Sequence, residues 1–176
     1  MAVYFTSDSH FGDHRTLNIW KRPFASVAEM DALLLDRWNA VVGPDDEVWH
    51  LGDFARKPDE VRGLLDRLNG VKHLVRGNND PPGTAAAEGW ASVQDYAEIE
   101  LDGRMLILCH YPFRTWNRQH KGSIDLHGHS HGRLKGLPRQ YDVGVDIRDW
   151  RPVSLAEICL PKRSLGRGTT RRVVEG

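Results

Sequence analysis

The feature that most constrains this chain is a repeated pattern of short apolar runs, each ending abruptly in Asp, Asn, His or Gly. MAVYFT (residues 1–6) runs into Ser7-Asp8-Ser9-His10, and EVWHL (47–51) into Gly52-Asp53. VKHLV (71–75) runs into Arg76-Gly77-Asn78-Asn79-Asp80, MLILC (105–109) into His110, and Ile124 to Leu126 into His127-Gly128-His129. Runs this short, rich in β-branched and aromatic residues and bounded by turn formers, read as buried strands rather than helices. Between the early ones lie helical patterns. Ser26 is an N-cap with Glu29 three residues on. Met30, Leu33, Leu34, Trp38 and Val41 then follow at spacings of three and four before Gly43-Pro44. Asp59 to Leu68 repeats the pattern and stops at Asn69-Gly70. The order β, α, β, α, β implies right-handed parallel crossovers in an α/β layer fold.

The second half loses its helices. Ser92 to Leu101, Arg104 to Cys109, Ser123 to Leu126 and Gln140 to Ile147 read as strands, with Asp102-Gly103 as a hairpin turn. The sheet, or pair of packed sheets, is therefore expected to be mixed. Residues 81–89 read as a loop or short helix entry, and Ser154 to Ile158 as a last strand or turn of helix. One domain over residues 1–160 is expected, followed by a flexible tail, 161–176, with five basic residues against the single acid Glu175.

Composition narrows the functional classes. The 24 basic and 24 acidic side chains cancel, so the total charge does not point to a stable nucleic-acid complex. The opening MAVYFTSDSH turns charged too early for a signal peptide, and no apolar run approaches the roughly 20 residues of a membrane span. Two cysteines make no disulfide framework, which leads us to expect a reducing, cytoplasmic setting. Histidine is in excess: nine in the chain, five of them between His110 and His131.

In α/β sheets ligands bind beyond the carboxyl ends of the strands. That edge collects Asp8, His10, Asp53, Asn78, His110, His129 and His131. Asp8/His10 and His129/His131 are i, i+2 pairs, which in extended chain point to one side. Imidazole mixed with carboxylate and amide oxygen suits Mn²⁺, Fe²⁺, Zn²⁺ or Ni²⁺ better than Ca²⁺ or a thiolate zinc site. Seven groups exceed one tetrahedral ion and suit two ions that share a carboxylate.

The blocks Asp8-Ser9-His10, Gly52-Asp53, Gly77-Asn78, His110 and Gly128-His129-Ser130-His131 resemble the signature of the calcineurin-like metallophosphoesterases, in order. FTSDSHFGDH, DDEVWHLGDF, LCHYPFRTWN and YDVGVDIRDWRPVSLAEI resemble a compact bacterial and phage branch, and the likeness covers about residues 1–160. The resemblance implies a four-layer α/β/β/α sandwich of two mixed sheets flanked by helices. It implies that Asp8, His10 and His131 hold one ion and Asn78, His110 and His129 the other, with Asp53 bridging. The ions are expected to be manganese, with Fe, Zn, Ni or Mg as alternatives. A hydroxide shared by them would attack a phosphate ester in line, so Asp53 and Asn78 would serve catalysis as well as ligation.

The chain departs from the family pattern at Asn79, where many members carry His. An amide is no general acid at neutral pH. Another group must protonate the leaving oxygen, or the leaving group needs less help. His14, in the loop after His10, is the first candidate for that proton and His120 the second. The departure favours a phosphodiester of nucleotide type over a monoester, with a non-catalytic scaffold of the same fold as the other alternative. Arg114 and Trp116, after His110, are candidates to grip a phosphate and stack a flat group, with Asn79 beside them. The bland readings are an exposed Arg and a Trp covering the core edge. His50, His73 and His127 are expected to be structural, as are Trp20, Trp38 and Trp49, and Cys109 a buried thiol. The sequence gives no oligomeric state.

Overall fold

A computed structural model of the chain describes residues 1–160, so the basic tail lies outside the described residues. Among these no helix is long and apolar enough to cross a membrane. The N-terminal half alternates as read: β1 (Val3–Thr6), α1 (Arg15–Ile19), α2 (Val27–Val41), β2 (Glu47–His50), α3 (Pro58–Arg67), β3 (Val71–Val75), α4 (Pro82–Ala86) and β4 (Trp90–Gln94). β1 to β4 pair in parallel in the order β4-β3-β2-β1. Ser26 caps α2, its Oγ accepting from Glu29 N at 3.1 Å, while the Glu29 carboxylate accepts from Ala25 N.

The second sheet is β5 (Ala97–Leu101), β6 (Arg104–Leu108), β7 (Ile124–His127) and β8 (Gln140–Asp142), in sequence order. β5 and β6 form the hairpin, with Asp102 (φ 52°) and Gly103 (φ 70°) both left-handed, as a tight turn matched to strand twist requires. β6, β7 and β8 are parallel. A two-residue strand β9 (Val153–Ser154) returns antiparallel to β1, so both sheets are mixed. α5 (Leu155–Cys159) follows with a full capping box between Ser154 and Glu157.

Two expected strands differ from the structure. Residues 92–101 are not one strand: the chain breaks at Asp95-Tyr96, and its halves join different sheets. Burial alternates within each half but changes phase at the break: residues 90, 92 and 94 turn inward in β4 and 97, 99 and 101 in β5, with Asp95 and Tyr96 both exposed. Gln140 to Ile147 is the three-residue β8 plus a 3₁₀ turn at Val145–Ile147.

Phe5, Trp49, Leu51 and Val75 of the first sheet meet Leu106, Leu108, Ile124 and Leu126 of the second in the inter-sheet core. On the first sheet's other face, Val48 and Leu74 pack under Met30, Leu34 and Trp38 of α2 and Val61 and Leu65 of α3. The second sheet's outer face is covered by irregular chain from 111 to 123 rather than by a long helix. Glu98, Ile107, Asp125 and Gln140 form a row across that face. Asn117 Nδ2 donates to Glu98, Phe113 N to Asp125 Oδ2, and Gln140 Nε2 to Asp125 Oδ2. The parallel strands β1, β2, β3, β6, β7 and β8 point their carboxyl ends to one edge.

Phe5 is fully buried between the sheets. Phe5→Ala is expected to cost about 3–5 kcal/mol, read from the urea midpoint at unchanged slope.

Candidate metal centre

The loops after β1 and β2 run side by side: Asp8 N donates to Gly52 O (2.9 Å), His10 N to Asp53 O (3.0 Å) and Phe11 N to Phe54 O (2.9 Å). The candidate ligands in these loops are not extended. Asp8, His10, Asp53, His129 and His131 all have φ between 46° and 65°. Strand alternation therefore does not aim the two i, i+2 pairs; strained left-handed turns do, and such strain collects at functional sites. Close packing forces the glycines between them. A Cβ on Gly52 (φ 92°) would lie 2.6 Å from His110 Nδ1, and one on Gly128 2.6 Å from Asp8 Oδ2.

Two groups of buried donors result, Asp8 with His10 and His131, and Asp8 with Asp53 and His110; within each, ligand atoms lie within 4.8 Å of one another. Asp53 Oδ2 is 3.5 Å from His10 Nε2, and Oδ1 is 3.6 Å from His110 Nε2. His110 donates Nδ1–H to Leu51 O at 2.7 Å, which leaves Nε2 as the donor atom, 3.1 Å from Asn78 Oδ1. His131 likewise turns Nδ1 to Asp146 Oδ2 (2.8 Å) and Nε2 toward Asp8. Imidazoles so oriented are the form a metal needs. Asn78 and His129 stand exposed at the mouth, His129 with its ring centroid 5.1 Å from that of His110. The backbone amide of His129 donates to both oxygens of Asp8, at 3.2 and 3.0 Å.

The electrostatics fit cations. Burial, together with Asp53, Asp142 and Asp146, pushes the Asp8 carboxyl well above its usual range. Burial would also raise Asp53, but His110, Asn79 and His10 outweigh it and hold the carboxyl low. His10 is pushed down to about 4, chiefly by burial, so it is neutral at physiological pH. His110 is lowered for the same leading reason. His10 Nε2 is buried with no hydrogen-bond partner. A neutral, orphaned imidazole nitrogen facing carboxylates is what a divalent ion would satisfy, and the O/N donor set suits a borderline ion.

The other expected site residues are distributed differently. Asn79, exposed at the mouth, touches the centre: its backbone N donates to Asp53 Oδ1 (2.8 Å) and its Nδ2 to Asp53 Oδ2 (2.7 Å). It orients the carboxylate between the histidines. His14 is exposed at the start of α1 and its side chain caps nothing. His120 sits in the 3₁₀ turn Gln119–Lys121, just before β7 begins. It is therefore at the opposite edge of the sheet from the ligands, too far to protonate anything there. Trp116 is buried, its indole donating to Ser123 O at 3.3 Å, so it covers the second sheet and is not available to stack on a substrate. Arg114 is exposed on the same covering segment.

Several contributors escaped the sequence reading. Asp80 accepts from the amides of Asp53, Phe54 and Gly77, each at 2.8 Å, and ties two ligand loops together. Asp142 accepts from Ser130 Oγ (2.6 Å), Gly132 N (2.8 Å) and Gly144 N (2.7 Å), fixing the loop that carries His129 and His131. Arg22, with a fully buried side chain, pairs bidentately with Asp146 at 2.9 Å twice and donates to the carbonyls of Asp8 (2.6 Å) and Ser9 (2.9 Å). Trp20, expected in the core, instead stacks on His131 at 3.7 Å. Tyr111, exposed, lies 4.9 Å from the His129 ring. The first two of the three aspartates in YDVGVDIRDW were the visible signal for Asp142 and Asp146; nothing in the sequence marks Arg22. The structural histidines are as expected: His50 meets Ser9 Oγ at 2.8 Å, His73 meets Ser92 Oγ at 2.7 Å, and His127 Nδ1 meets Gly128 O at 2.8 Å.

Residues 1–137 match the calcineurin-like phosphoesterase superfamily domain. The chain belongs to this superfamily. It is 32% identical over 163 residues to the uncharacterized protein MJ1445 of Methanocaldococcus jannaschii, covering 87% of this chain and 86% of that one. It is 31% identical over 179 residues to the gene 66 protein of Mycobacterium phage D29, covering 82% and 87%. The crystal structure of AQ665 from Aquifex aeolicus, a protein of unknown function, superposes with a TM-score of 0.73 at 26% identity, covering 89% of this chain and 96% of that one. The two mixed sheets with flanking helices are thus the superfamily's architecture, and the buried Asp/His cluster lies at its expected edge.

Divalent ions that bind only the folded chain stabilise it by mass action. Mn²⁺ at 100-fold over its Kd is expected to add about 2.7 kcal/mol, seen as a rise in Tm. Asp53→Ala is expected to remove most of that rise, because it deletes the carboxylate facing both histidine groups.

Proposed function

We propose that this chain is a dinuclear-metal phosphodiesterase, using two divalent ions, manganese first among them. The observation that carries the reading is Asp53, whose two oxygens face two different imidazoles at 3.5 and 3.6 Å. A carboxylate so placed would serve two ion positions at once. Asp8, His10 and His131 would hold one ion, and His110, with Asn78 and His129 at the mouth, would hold the other. When bound, such a pair supplies a water acidic enough to attack phosphorus at neutral pH and positive charge opposite the phosphoryl oxygens.

The chain's own residues do the rest. Leu51 O and Asp146 fix the tautomers of His110 and His131, so both present Nε2. The Asp8–His129 amide contact closes the first loop onto the fifth. Asn79 holds Asp53 by two bonds and has no titrating proton to give. With an amide in this place, esters whose leaving group departs without full protonation are favoured, which supports a diester over an alkyl monoester.

The test is turnover of bis-p-nitrophenyl phosphate by protein stripped of metal and reloaded with Mn²⁺. Activity should return with the ion, and Asp53→Ala should lower kcat/KM by about 10²–10³. Absence of turnover with every divalent ion tried would favour the scaffold reading. A second prediction concerns the leaving group. Asn79→His can still donate to Asp53 and adds a titrating ring. It is expected to raise turnover of alkyl esters relative to p-nitrophenyl esters, by up to about 10². An unchanged ratio would mean that position 79 does not face the leaving oxygen.

A further inference from the structure

Beside His131 a cavity of about 250 Å³ is lined by Trp20, Lys21, Arg22, Arg133, Asp146 and Trp150. Pockets that enclose whole small molecules span about 300–1,000 Å³, so this one has room for part of a ligand. Its wall is His131 itself, whose Nε2 faces Asp8. His131 thus belongs both to the cavity lining and to the candidate metal centre.

The lining is cationic. Arg22 is committed to Asp146 and to the carbonyls of Asp8 and Ser9, which also neutralises the one carboxylate present. Lys21 and Arg133 remain. Lys21 has no ion-pair partner among the described residues. Arg133 lies 4.3 Å over the ring of Trp20, whose ring also stacks on His131 at 3.7 Å, and its guanidinium donates to the carbonyl of Ile19. The stack holds the guanidinium beside a candidate ligand histidine, in the lining of the cavity. Lys21 (φ 54°) and Trp150 (φ 59°), also in the lining, are both held in left-handed backbone.

We propose that this cavity is a subsite for a second anionic group of the substrate, so that the substrate is a phosphoester carrying a further phosphate away from the scissile one. The proposal rests on the phosphoesterase reading for the scissile group, but the subsite itself is a property of Lys21 and Arg133. Arg133 supplies bidentate recognition and Lys21 a point charge.

The test has two arms. Metal-free protein is titrated with inorganic pyrophosphate by calorimetry, as wild type and as the double variant Lys21→Gln, Arg133→Gln. Both residues are exposed, so the variant is expected to fold, and its far-ultraviolet circular dichroism checks that. Wild type should bind, and the variant should bind at least about tenfold more weakly, the loss of about 1.4 kcal/mol or more. Absence of binding, or equal binding, overturns the subsite. In the second arm, Mn²⁺-loaded protein is given thymidine 5′-(p-nitrophenyl phosphate) with and without a 3′-phosphate. Wild type should prefer the 3′-phosphorylated ester by about tenfold in kcat/KM, and the double variant should lose that preference. Equal rates in wild type overturn the subsite. A protein inert toward both esters overturns the phosphoesterase reading instead, and the calorimetry still decides the cavity.

Discussion

Asp8 is completely buried at the end of β1, within 4.8 Å of another buried carboxylate, Asp53, and under the influence of Asp142 and Asp146. Two like charges at that distance repel by about 3–4 kcal/mol at an effective dielectric near 20. Whole domains are stable by only about 5–15 kcal/mol, so such a cluster needs cations. Arg22 answers part of the need. It reaches in from the segment between α1 and α2, clamps Asp146 and binds the carbonyls of Asp8 and Ser9. The rest is left to whatever occupies the space beside His10 Nε2, and the surrounding structure is arranged around that space.

The arrangement spreads outward in rings of decreasing strain. The ligand-bearing turns adopt left-handed backbone at Asp8, His10, Asp53, His129 and His131. Three further aspartates hold those turns by their amides or imidazoles: Asp80 for the second and third loops, Asp142 for the fifth, and Asp146 for His131. Behind them the two sheets meet through Phe5, Leu51, Leu108 and Leu126, rigid enough to keep loops from six strands in register. The site is thus precise because it sits on strand ends and its outermost groups, Asn78, Asn79 and His129, face solvent while the carboxylates stay buried.

The sequence made the parallel half and the ligand blocks legible for one physical reason. Buried parallel strands are continuous apolar runs, and a functional edge forces Asp, Asn, His and Gly directly after them, so Asp8, Asp53, Asn78 and His110 announce themselves by position. The switch at Asp95-Tyr96 left no mark in the sequence, since apolar Val93, Ala97, Ile99 and Leu101 keep one odd-numbered alternation across it while the burial phase shifts. Trp116 and Trp20 exchanged places for a related reason: an indole in a loop looks the same whether it covers a sheet or stacks on a histidine. Arg22 was hidden because its partners are a carboxylate 124 residues away and two backbone carbonyls. Asn79, which broke the family pattern, is the residue whose meaning changed most. It reads as a missing acid in sequence and as the support of Asp53 in three dimensions.

The central claim is that Asp53 stands between two ions. Crystals grown with Mn²⁺ and measured at the manganese absorption edge test it most directly. The account predicts two anomalous peaks about 3.5–4 Å apart, one against Asp8, His10 and His131 and the other against Asn78, His110 and His129, with an oxygen of Asp53 touching each. A single peak, or two peaks with Asp53 bound to only one, would contradict it.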